Sequence, residues 1–200
     1  MPLKTVGVSL PDLRLSNKSR QENPTVNKQK LLLELQRVYV SIMMEVIGLG
    51  LVSTSEVDED VIREVSQFPV GMEFRMIVLP DGPSFRLRVK EGGRLELAGN
   101  STGKPDLDIR FKHLSHAFLV FSFQESTARA FANDRMVADG EVSHAIRLVR
   151  CLDKMEALIL PKLVAERAVK RYPASLSLNE KINKAARIYA LVAKHFLTRS

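Results

Sequence analysis

The sequence predicts an α/β (α+β) fold: a five-stranded, mainly antiparallel sheet covered on one face by helices, with extra helices at both ends. Two observations carry this. Between Gly71 and Lys112 apolar and charged residues alternate, the pattern of strands with one buried and one solvated face. On either side, apolar residues recur every three or four positions, the period of helices that bury a single stripe.

The elements follow in order. Residues 1–26 are polar, hold prolines at 2, 11 and 24 and show no period, so they are expected to form an arm with little structure. From Asn27, a helix is marked by Leu31, Leu32, Leu35, Val38, Tyr39, Ile42, Met43, Val46 and Ile47, and Gly48 and Gly50 are expected to end it. Ser53 and Glu56 make a capping box for a second helix. Its acidic run, Glu56 to Asp60, suits the positive end of the helix dipole and is given no binding role. Four strands are then expected as an antiparallel meander. Their inward residues are Met72, Phe74, Met76 and Val78; Phe85, Leu87 and Val89; Leu95 and Leu97; and Leu107, Ile109 and Phe111. Asp108, Arg110 and Lys112 face outward. Short helices are expected at 115–123 and about 124–132, a fifth strand at Arg135 to Asp139, and an amphipathic helix at 143–160 that Pro161 interrupts. A last amphipathic helix covers 178–197. Residues 27–173 are read as the main domain and 174–200 as an appended helix.

At 200 residues, with 45% hydrophobic and 26% charged, the chain is sized for one domain with extensions. The single cysteine, Cys151, excludes an internal disulfide, and the amino end reads as lacking a cleavable signal, which points to the cytoplasm. The longest apolar run, Val38 to Val52, is broken by Ser41 and Glu45 and is shorter than the roughly 20 residues of a membrane span. The net charge of +7 is unevenly placed: residues 143–200 hold 12 Lys and Arg against 4 Asp and Glu. That asymmetry points to an anionic partner, phosphate headgroups or nucleic acid.

No convincing catalytic constellation is present. His113 and His116 stand three apart at a strand-to-helix junction without a third ligand, so they read as junction residues. Cys151 reads as structural, Gly92-Gly93 as a hairpin turn, and Asp106 and Asp108 as carboxylates on a solvated face. No enzyme activity, metal or cofactor is therefore expected. Seven Met, nine Phe and no Trp offer large, adaptable apolar volume, which suits either a plain core or the lining of a cavity.

"PDLDIRFKHLSHAFLVFSF" followed by "RMVADGEVSHAIRL" resembles the sterol carrier protein-2 family. The likeness covers roughly residues 30–160. The resemblance implies a sheet and helices enclosing an apolar tunnel for a fatty acid, a sterol-like lipid or an isoprenoid or quinone lipid. It makes Phe74, Met76, Phe85, Leu87, Ile109, Phe111, Phe118, Phe121 and Phe123, with Met136, Ile146 and Val149, the candidate tunnel wall. Asp134-Arg135 stands where the family often has a Gly-Lys or Gly-Arg turn, and Glu141 where it has Asp or Asn; an Asp tolerates turn geometry, so the fold is expected to survive. The extension after Pro161 looks like that of bacterial relatives, including accessory factors of ubiquinone biosynthesis.

The expected function is non-enzymatic carriage or presentation of a lipid at the inner face of a membrane. On the last helix, Lys181, Lys184, Arg187 and Lys194 would contact anionic lipid. Ile182, Ala185, Ala186, Tyr189, Val192, Ala193 and Phe196 form the other face, set against the bilayer, the domain or a second subunit of a homodimer. Two alternatives stand beside this: a basic nucleic-acid-binding protein, for which no recognition motif is found, and a scaffold with a filled cavity that binds a partner protein.

Overall fold

The first helix does not stop at its glycines. In the structure, a computed structural model that describes residues 24–99, 101–159 and 178–198, helix α1 runs unbroken from Pro24 to Val57. A Cβ at Gly48 would lie 3.1 Å from Phe85 Cγ, and one at Gly50 would lie 2.7 Å from Met155 Sδ. The glycines are there to let the helix approach its neighbours closely. Thr54 donates to the Gly50 carbonyl (2.7 Å), and Ser55 donates to that of Val52 (2.6 Å) while accepting from the Leu95 amide (3.0 Å). The second helix, α2 (Glu59–Val65), is capped by Asp58 in place of Ser53: its Oδ1 accepts from the amides of Asp60 and Val61 at 3.1 and 3.2 Å. By length and composition Lys28–Val57 could cross a membrane, but 61% of its most apolar stretch is buried inside the protein. The expected arm at 1–26 lies outside the described residues except for its last three, which belong to α1.

The sheet contains β1 (Glu73–Val78), β2 (Ser84–Lys90), β3 (Arg94–Leu97), β4 (Leu107–Phe111) and β5 (Met136–Asp139), in the order β3-β2-β1-β4-β5. Three pairings are antiparallel, but β4 lies parallel to β1, with Phe74 opposite Leu107 and Met76 opposite Ile109. The expected meander is therefore corrected. Alternation assigns each strand its faces but does not choose its neighbour. From β3 the chain crosses the outer face, where Ser101 donates to Glu73 (2.7 Å) and its carbonyl accepts from Arg86 (2.9 Å), and it pairs β4 with the open edge of β1. Leu97, expected inward, is exposed at the sheet edge.

The inner face forms one core with helices α1, α3 (Leu114–Phe121), α4 (Thr127–Ala132) and α5 (Val142–Ile159). The outer face carries interlocked ion pairs. Asp108, expected to be solvated, is 1% exposed and takes two bonds from Arg75 (2.9 and 2.6 Å) and one from Arg110 (2.7 Å), which also reaches Asp139 (2.7 Å). Burial pushes the Asp108 carboxyl up, but the two guanidiniums outweigh it and hold the group below its ordinary value.

The acidic run also has a role that its sequence did not suggest. Asp58 receives Lys184 (2.9 Å), Asp60 receives Lys154 (2.6 Å), and Glu64 receives Arg147 (3.0 Å) and Arg150 (3.2 Å). These contacts fasten α5 and the last helix, α6 (Leu178–Thr198), to the α1–α2 joint. On α6 Ile188 is buried and Lys184, Ala185, Leu191 and Val192 beside it are half-buried, whereas Ile182 and Tyr189, assigned to its apolar face, are 56% and 53% exposed. Lysine joins this inward line because its ammonium meets a buried carboxylate.

Gly48→Val drives two methyl groups toward the Phe85 ring and is expected to cost about 1–3 kcal/mol, read as a lower urea midpoint with an unchanged slope. Gly99→Ala, with nothing within 4 Å of the new Cβ, should stay near wild type.

Candidate apolar groove

α1 lies over β2 and β3, and the β4–β5 side of the sheet is left to shorter helices. There the chain makes two sharp reversals. Ser126 caps α4 by accepting from the Arg129 amide (3.3 Å), and Asp134, at φ +56°, turns α4 into β5, as its tolerance of that geometry predicted. Buried Glu125 braces this turn, accepting from Asn133 (2.7 Å) and pairing with Arg135 (3.4 Å). Gly140, at φ +147°, turns β5 into α5; a Cβ there would lie 2.6 Å from the Asp106 carbonyl oxygen.

These reversals hold α4, β5 and α5 around a groove of about 600 Å³, within the 300–1,000 Å³ common for small-molecule sites. Its walls are mostly apolar: Phe131 from α4, Met136 and Ala138 from β5, and Val142, Ala145, Ile146 and Val149 from α5. Arg150 and Asp134 stand at the rim. Ile146 and Val142 are 51% and 71% exposed, an unusual display for large aliphatic side chains.

The α5 stripe continues, at steps of four and three, into Asp153 and Glu156. Glu156 borders a small void of about 20 Å³, room for one water, between Met43, Val46, Ile47, Phe121, Phe123, Met155 and Ile159. Burial, and then the neighbouring Asp153, push the Glu156 carboxyl up to about 7; burial also raises Asp153. This end of the stripe therefore holds a carboxyl that is largely un-ionised below neutral pH.

The candidate wall residues do not gather in one place. Met136, Ile146 and Val149 face the groove, Phe121 and Phe123 the small void, and Phe85 a polar depression of about 310 Å³ with Gly48, Arg75 and Arg86. Phe74, Met76, Leu87, Ile109 and Phe111 are packed in the core, and Phe118 lies half-buried against the Tyr39 ring, 5.4 Å between centroids. Val142, Ala145 and Phe131 were missed. For Val142 and Ala145 the signal was a second apolar stripe on α5, set apart from Leu148, Cys151, Leu152 and Met155, which face the core. Among the candidate lipid-contacting cations, Lys184 is bound to Asp58, Arg187 and Lys194 are exposed, and the Lys181 side chain lies outside the described residues.

His113 and His116 stack edge-on at 5.1 Å, and no group of three metal-type ligands occurs among the described residues. The buried Cys151 thiol is pushed up to about 12 by desolvation, so it is protonated and serves as packing.

No family model matches the chain, and no curated protein matches it. Solved structures do. The chain is similar to a "UbiJ-SCP2 Ubiquinone synthesis protein" at 15% identity and a TM-score of 0.34, covering 52% of this chain and 90% of that one. It is similar to sterol carrier protein domain 2 of Helicoverpa armigera (19% identity, TM-score 0.38, 58% and 84% covered). It is also similar to sterol carrier protein 2 from Yarrowia lipolytica in its apo form (18% identity, TM-score 0.40, 57% and 90% covered).

A carboxyl whose folded-state value lies above its ordinary one makes the protein less stable as pH rises between the two. For Glu156 that window runs from about pH 4.5 to about 7. Glu156→Gln should gain about 1–3 kcal/mol over wild type near pH 8 and almost nothing near pH 4, compared by urea unfolding at the two pH values.

Proposed function

We propose that the protein binds the hydrocarbon part of a lipid in the groove between α4, β5 and α5, without catalysing a reaction, and carries or presents it at a membrane surface on the cytoplasmic side. The observation behind this reading is the apolar groove itself: about 600 Å³ with walls of aliphatic and aromatic side chains. Each methylene taken out of water is worth about 0.8 kcal/mol, so a ten-carbon segment offers several kcal/mol. The resemblance of residues 71–150 to the sterol carrier protein-2 pattern supports the same class of ligand. Exposed Arg187 is suited to an anionic headgroup, worth about 1 kcal/mol when well placed. Four cations of the basic carboxyl-terminal region are already held by α2 and its cap, which weakens the case for nucleic acid.

Mass spectrometry of lipid co-purified with the protein, followed by titration of the delipidated protein with fluorescent sterol, quinone and fatty-acid probes, tests this. Wild type should take up at least one probe saturably, with little change between low and high salt. Ile146→Asp places a charge at an exposed groove position and should weaken uptake at least about tenfold while leaving the melting temperature unchanged. Absence of saturable uptake of every probe would count decisively against the proposal.

A further inference from the structure

α1 carries a second line of apolar side chains on the side turned away from the sheet. Leu31, Leu35, Val38 and Ile42 follow one another at steps of four, three and four and are 60, 58, 56 and 54% exposed. Half a turn around the same helix, Val40, Met44, Ile47 and Leu51 are buried in the core. Steps of four and three mark the seam along which one helix packs on another. Lys28 is the next seam position before Leu31, and Glu45 is the next after Ile42. Both are exposed, and neither forms an ion pair with another described residue.

The seam is complementary to itself when reversed. Setting two copies of α1 antiparallel about the point between Gln36 and Arg37 brings Leu31 opposite Ile42, Leu35 opposite Val38, and Lys28 opposite Glu45. A parallel pair in register would instead set Lys28 against Lys28 and Glu45 against Glu45. We propose that this seam is a two-fold interface between two copies of the chain. Four apolar layers meet across it, closed at each end by Lys28 of one copy against Glu45 of the other. The arrangement is isologous, the form that closes as a dimer. The paired stretch from Lys28 to Glu45 is about 25 Å long, and each core lies on the far side of its own α1, so the two sheets stand clear of each other. A bilayer is a poorer occupant, because the seam ends in opposite charges, Lys28 and Glu45, which a reversed second copy pairs and a bilayer does not.

Sedimentation of the full chain over a range of concentrations tests the proposal. Wild type should form a dimer, and Lys28→Glu and Glu45→Lys should each weaken it at least about tenfold by placing like charges in both end layers. An equimolar mixture of the two variants should recover the association, because every end layer of the mixed pair again joins opposite charges. Loss of folding cannot imitate that rescue. Leu35→Asp, at a position more than half exposed, should abolish the dimer while keeping the wild-type circular dichroism melt. A wild type that stays monomeric up to the order of 100 μM overturns the proposal, as does a dimer indifferent to these substitutions or a mixture no stronger than its components. A monomer that sediments with phosphatidylcholine vesicles and loses this with Leu35→Asp also overturns it and assigns the stripe to a bilayer.

Discussion

The close approach of α1 to β2 and α5, made possible by the missing side chains at Gly48 and Gly50, is the constraint that orders the rest of the molecule. It lets one 34-residue helix lie over the sheet without a break. From that position Tyr39 donates to the Phe121 carbonyl (2.9 Å) and Ser55 accepts from Leu95, so the same helix ties down α3 at one end and β3 at the other. The inner face is closed tightly where α1 covers it. The apolar groove opens toward β5, where three short elements meet around turns at Asp134 and Gly140 and cannot follow the sheet as closely.

Electrostatics distributes the remaining elements. The sheet's outer face is saturated with its own ion pairs, and buried Asp108 needs both arginines to remain charged there. The basic surplus, so uneven along the chain, is partly neutralised in space because α2 and its cap collect cations from α5 and α6. A charge map drawn along the sequence therefore overstates the field that a partner meets at this surface.

Much of the architecture was legible because alternation and helical period are direct imprints of burial. Phe74, Met76, Leu87, Ile109 and Phe111 face inward as expected, and α5 begins within one residue of its expected start. What was hidden shares a physical cause: a period reveals a residue's side but not what stands opposite it. Nothing in the period of β4 distinguishes β1 from β3 as its neighbour, and nothing in an inward Phe says whether a helix or a groove faces it. The glycines of α1 read as a stop because their packing partners, Phe85 and Met155, lie far along the chain. Lys184 read as a surface cation because its partner, Asp58, is 126 residues away.

Asp58 divides two tasks between two oxygens. Oδ1 takes the amides that begin α2, while Oδ2 takes the ammonium of Lys184 and so moors α6. An asparagine there could keep the first task with its carbonyl oxygen but would turn an amide toward the lysine, whereas an alanine would give up both. The joint between the first two helices is thus also the clasp for the last one, and the two functions are separable by a single atom.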